Sequence, residues 1–274
     1  MDALFVWLLG LGSLVLGLAL FAALSLASEV GYRFGLLRRA RVGAAGGDHT
    51  VTATLTAGMV ALLAFILGLT INFAQSRFEV RRDLVVDEAN AIGTAWLRAH
   101  LIGAPDGEAI AEGIHRYARL RLEFTRTPAA ASAESLTLQT HRQAAEIWER
   151  AAVLARAAPT PITATLITAL NTMFDDAQAQ RFAFLGEAPG VMLEMMFLGA
   201  ILAIGAMGYE AGLRGPRQLL LTSLLLAMWT GGMVMTVDLA RPRLGAVRVD
   251  PQPLEWTLEE IEHAPPTPTP GAHP

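Results

Sequence analysis

The chain has 274 residues, 53% of them hydrophobic and 17% charged, with a mean hydropathy of +0.41 and a formal net charge of −4. So apolar a composition argues against an ordinary soluble domain, and the small negative charge argues against nucleic-acid binding. Cysteine is absent, which excludes disulfides, thiolate catalysis and cysteine metal sites.

The apolar excess falls in four blocks, Ala3–Ala27, Val51–Ala74, Val191–Met207 and Leu219–Val237. Each is long enough, or nearly so, to cross a bilayer as a helix. The first block lacks a basic leader and outruns the 7–15 apolar residues of a signal peptide, so it reads as a retained span. Residues 1–50 are therefore a first membrane helix and a basic loop.

From Val51 to Arg98 the sequence reads as one helix. It contains no proline, and two of its three glycines, Gly58 and Gly68, lie in the apolar half. At about 1.5 Å per residue, roughly 48 residues reach about 70 Å. A bilayer core needs about 30 Å, so the remainder stands clear of lipid as a stalk. Residues 99–189 read as a helical extramembrane bundle. Asp106 is placed to cap its first helix, and a loop over Arg126–Ala131 contains Pro128. The next helix, about 132–157, shows apolar positions Leu138, Ala145, Ile147, Trp148 and Leu154. Thr160–Pro161 is a start signal, a cap residue followed by proline at the first helical position. Residues 190–238 read as a membrane hairpin, in which Gly199, Gly205, Gly208 and Gly212 let helices approach closely. Residues 239–262 read as a tail packed on the bundle, and 263–274 as a disordered Pro-rich end. The fold class is all-α: a polytopic membrane protein with four spans and a helical extramembrane bundle.

At 100° per residue, Thr54, Gly58, Ala61, Phe65, Leu69, Asn72, Ser76, Glu79, Asp83, Asp87, Asn90 and Thr94 share one stripe of the long helix. The stripe is small, then apolar, then polar, then acidic. The opposite face carries Leu63, Leu67, Ala74, Phe78, Val85, Ile92 and Trp96, the side expected to pack on the protein. A wet face on an amphipathic stalk would explain the acids alone. Repeated around an axis, the stripe would instead line a channel. Ala61, Phe65 and Leu69 would form its constriction, and Asn72, Ser76, Glu79, Asp83 and Asp87 a polar vestibule. Apolar constrictions gate by dewetting, and acidic rings favour cations.

Arg77, Arg81 and Arg82 follow the second span and read as headgroup anchors. Glu194 is a candidate intramembrane charge. No catalytic pair, phosphate loop or metal-ligand spacing is visible, so neither enzyme activity, nor a cofactor, nor a metal is expected.

The segment LGLTINFAQSRFEVRRDL, through Leu67, Gly68, Asn72, Ala74 and Arg77, resembles the end of the second helix of bacterial bestrophins. VVDEANAIGTAWLRA, ALNTMFD and DLARPRLGAVRVDPQPL resemble a large bacterial membrane family of unassigned function, often labelled bestrophin-like. The resemblance implies a bestrophin-like arrangement and a homo-oligomer, a pentamer, passing small ions. It implies three apolar pore rings four residues apart, which carry over to Ala61, Phe65 and Leu69. Ala61 is smaller than the usual ring residue, Phe78–Glu79 replaces the family's paired tryptophans, and no acidic calcium clasp follows the fourth span. Arginines divide almost evenly between the two sides of the membrane, the first loop favouring its own side as inside. The resemblance puts the bundle in the cytoplasm of a multi-pass protein of the bacterial inner membrane. The alternative is a non-conducting sensor or scaffold whose helical block binds a partner.

Overall fold

Backbone groups in lipid must bond within their own segment, so apolar spans fold as helices. The computed structural model describes residues 12–42, 49–103, 105–127, 130–185, 190–215, 217–241 and 247–264. Among them are eight helices and no strand: α1 (Ser13–Val42), α2 (His49–Ile102), α3 (Asp106–Arg126), α4 (Ala130–Ala157), α5 (Pro161–Leu185), α6 (Gly190–Arg214), α7 (Leu219–Ala240) and α8 (Gln252–His263). Helices α1, α2, α6 and α7 are long and apolar enough to cross a membrane. The expected start of the first span and most of the Pro-rich end, 265–274, lie outside the described residues.

The chain divides into two units, and the division falls inside α2 between Phe78 and Glu79. The first unit holds α1, the apolar half of α2, α6 and α7. Its core joins Leu24, Leu63, Met196, Ile204, Met233 and Val237. α1 lies very close against α6. A Cβ at Gly31 would fall on the carbonyl oxygen of Gly205, and one at Gly208 on that of Ser28. Ser13 donates to the buried Asp238 carboxylate at 2.8 Å, joining α1 to α7. The loop expected from residue 28 is helix as far as Val42. No proline interrupts that stretch, and Arg33 pairs with Glu29 one turn back at 2.7 Å.

The second unit holds the rest of α2 with α3, α4, α5 and α8. Ile92, Ile110, Ile114, Ile147, Leu170 and Met173 are buried in it, and Tyr117 meets the Phe174 ring edge-on at 5.8 Å. Thr160 caps α5 as its sequence suggests: its hydroxyl accepts from the Thr163 N–H at 3.2 Å, and the Thr163 hydroxyl accepts from the Thr160 N–H at 2.9 Å. Asp106 does not cap α3. Pro105 occupies that position, and Asp106 and Glu108 sit in the first turn, where the helix dipole favours acids. In α4 the buried face is Ala133, Leu136, Thr137, Thr140, Ile147, Ala151 and Leu154. Of the apolar positions read from the sequence, Ile147 and Leu154 belong to it, whereas Leu138, Ala145 and Trp148 point outward. The true stripe includes two threonines, so a count of apolar residues mistakes its phase. The tail contains α8, which buries Leu254, Leu258 and Ile261 and packs on α3. Arg126 and Arg119 on α3 pair with Glu255 and Glu262 at 2.6 and 2.7 Å.

Candidate functional site

Helix α2 meets its own chain on one side only. In the first unit Leu63 and Ala74 are buried, with Leu67 and Phe78 half-buried. In the second unit Val85, Ile92 and Trp96 are buried. These are the residues of the apolar face read from the sequence. A helix packed along one stripe leaves the opposite arc open.

That arc carries the sequence-derived candidates. In the first unit Ala61, Phe65, Leu69, Asn72 and Ser76 are all exposed, Phe65 at 67% and Leu69 at 52%. The open arc there also includes Leu62, Ala64 and Gly68, and at 100° per residue Phe65 lies near its middle. In the second unit Glu79, Asp83, Asp87, Asn90 and Thr94 are exposed on the continuing arc. Thus the side chains fall in the order small, large apolar, amide and hydroxyl, then carboxylate along one face of one helix. Val80, Val86, Leu97 and Leu101 flank the carboxylates and are exposed as well.

The three arginines after the span separate. Arg77 lies with its guanidinium 5.4 Å from the centre of the Phe73 ring, and Arg82 is exposed. Arg81 is buried at 2% exposure, so it faces protein rather than a lipid headgroup. It sits on the packed side, about 160° from Asp83, which the helical period alone dictates. Glu194 is half-buried, just over a turn into α6.

Two features of the second unit were not singled out from the sequence. Asp176 on α5 lies near Asp87 of α2, with Asp175 beside it. Partial burial, then repulsion from Asp87 and Asp175, holds the Asp176 carboxyl above the usual range. The Asp-Asp doublet was visible in the sequence, but its nearness to Asp87 depends on how α5 packs. The second feature is a buried charge network. Arg121 of α3 donates Nε to Glu88 Oε1 and Nη2 to Glu88 Oε2, the latter at 3.1 Å. It also donates to Gln180 Oε1 on α5 and lies over the Phe124 ring at 4.7 Å. Burial works against the Arg121 charge, but attraction to Glu88 outweighs it, and the guanidinium is held above its ordinary range. Burial likewise pushes the neighbouring Tyr117 phenol well up, so it stays protonated. A signal existed for this network. Glu88 falls among Val85, Ala89 and Ile92, and a charge on an apolar face calls for a partner.

A family model described as a bestrophin-like domain matches residues 19–254. Among solved structures, a bacterial bestrophin homologue from Klebsiella pneumoniae, crystallised as a point mutant, aligns with a TM-score of 0.63. Identity is 14%, and the alignment covers 88% of this chain and 95% of that one. At that identity the likeness speaks for the fold. Among curated proteins, none matches the sequence.

Proposed function

Since this chain belongs to the bestrophin-like family, we propose that it is a homo-oligomeric ion channel of the bacterial inner membrane, with the open arc of α2 facing the axis. The observation that carries the reading is the arc itself. Its apolar positions Ala61, Phe65 and Leu69 form the neck, and Asn72, Ser76, Glu79, Asp83 and Asp87 form the vestibule. The second unit faces the cytoplasm, and Arg77 and Arg82 hold the membrane boundary.

Oligomer formation is supported by apolar surface where water is expected. In the second unit Leu97 is 63% exposed, Leu101 69% and Phe182 78%. Leu97 and Leu101 stand one turn apart on α2 and Phe182 is on α5, and exposed apolar side chains of this size mark contact surfaces. A copy of the same chain would cover them, with five copies following the bestrophin pattern. Acidic rings then favour cations. Two carboxylates about 8 Å apart repel by roughly 2 kcal/mol at an effective dielectric near 20, and a bound cation relieves that repulsion.

The test is mass in detergent followed by flux. A strict monomer would sink the proposal. In liposomes made from the oligomer, Phe65→Ala should raise ion flux by removing the bulkiest neck side chain. Unchanged flux would remove Phe65 from the neck, and reversal potentials that track chloride would refute the cation preference. The complete absence of flux, together with capture of a specific partner by the second unit, would favour a non-conducting scaffold.

A further inference from the structure

Helices α3, α4 and α5 line a cleft of about 150 Å³, open to the surface on one side, that the channel reading does not use. An engineered apolar cavity of about this size accepts benzene, so the space suits one six-membered ring. Its wall is aromatic, from Tyr117 and Phe174, and Ala144 stands where α4 meets it. Arg181 and His141 also line it, with Arg181 Nη1 3.3 Å from His141 Nε2. Among the described residues no carboxylate pairs with Arg181, whereas the deeper Arg121 is neutralised by Glu88. The uncancelled charge in the cleft is therefore positive. An independent observation comes from Thr140. Thr140 is one of the residues lining the cleft, and its buried hydroxyl, on a side chain 7% exposed, has no hydrogen-bond partner. Thr137, one turn earlier, bonds the carbonyl of Ala133 at 2.8 Å in the way helical threonines ordinarily do. A buried hydroxyl without a partner is costly, and a ligand atom would supply one.

We propose that this cleft binds a small carboxylate carrying a single ring or branched apolar body. The body lies against Tyr117 and Phe174, the carboxylate meets Arg181, and the Thr140 hydroxyl donates to it. The Arg181–His141 contact then opens or turns to admit the anion.

The experiment is calorimetric titration of the full chain in detergent with sodium benzoate, and with benzyl alcohol as the uncharged probe of the same size. Benzoate should saturate at one per chain, with benzyl alcohol at least about tenfold weaker, as expected for a charge-assisted contact. Arg181→Gln should cost about tenfold, Thr140→Val several-fold, and Ala144→Phe should abolish binding by filling the space. Thr140→Val keeps the side-chain shape and removes only the orphan hydroxyl, so it tests the site without threatening the fold. The proposal is overturned if benzoate does not saturate, if benzyl alcohol binds as well, or if Arg181→Gln and Ala144→Phe leave binding unchanged.

Discussion

Glu88→Ala should be among the most damaging single changes in the second unit. Glu88 is 0% exposed, and the side chain it neutralises, Arg121, is 3% exposed. Removing the carboxylate leaves a guanidinium out of water with only Gln180 and the Ala177 carbonyl as acceptors. Breaking one side of a buried pair costs about 3–5 kcal/mol. At about 2–4 °C per kcal/mol for a protein of this size, Tm should fall by roughly 6–20 °C. Intrinsic fluorescence is a suitable readout, because Trp96, Trp148 and Trp256 all lie in that unit. Arg121→Met, which strands Glu88 instead, should cost a similar amount. Replacing the whole network, by Glu88→Met, Arg121→Met and Gln180→Leu together, should recover most of the loss, since well-packed apolar groups often substitute for a buried pair. If both single changes move Tm by less than about 2 °C, the pair is not desolvated as described, and the reasoning fails.

Gly31→Leu should break up the first unit, because the added side chain meets the backbone of α6, which cannot rotate away. Overpacking of this kind costs about 1–3 kcal/mol or more, and the check is loss of the monodisperse peak on size exclusion. Asp176→Asn should act in the opposite direction and depend on pH. A carboxyl raised by folding contributes stability below its unfolded pKa and loses it as pH rises through the folded value. Above that value the wild type carries the unfavourable charge, so the amide variant should melt higher, and the difference should shrink as pH falls into the ordinary carboxylate range. A gap that is independent of pH would remove burial of the charge, and its repulsion from Asp87 and Asp175, as the cause.

The spans and the two faces of α2 were legible because one residue type repeats at the helical period over many turns, a signal that survives without knowing any neighbour. Thr160 and Pro161 marked the start of α5 for a similar reason, since capping is settled within four residues. The failures have the opposite character. The face of α4 was mistaken because Thr137 and Thr140 turn inward while Leu138 and Trp148 turn outward, and only the packing of α3 and α5 decides that. Arg81 looked like its neighbours, but it lies about 40° from the half-buried Arg77 and about 100° from the exposed Arg82, on the side of α2 that the core covers. The cleft beside Tyr117 could not be read at all, because its lining comes from three helices spread over more than sixty residues.

Asp87 and Glu88 show how one helix can hold structure and candidate function without mixing them. They are adjacent in the chain and about 100° apart around the axis. That single step turns Glu88 into a side with no water, where it survives only by pairing with Arg121, and leaves Asp87 on the open arc. The paired charge is cancelled at short range, so it adds little to the potential outside. The exposed one is uncancelled by that network and contributes to whatever ion or copy approaches the arc. Asp176 of α5 lies near Asp87, and after partial burial the Asp87 charge helps to hold that carboxyl above the usual range. The division has a physical cause: burying a second carboxylate would require a second buried cation, whereas water or a passing cation can satisfy an exposed one. The acids that can serve a vestibule are therefore those that the packing of the second unit leaves unpaired with Arg121, and the order along the arc follows from which face of α2 the core claims first.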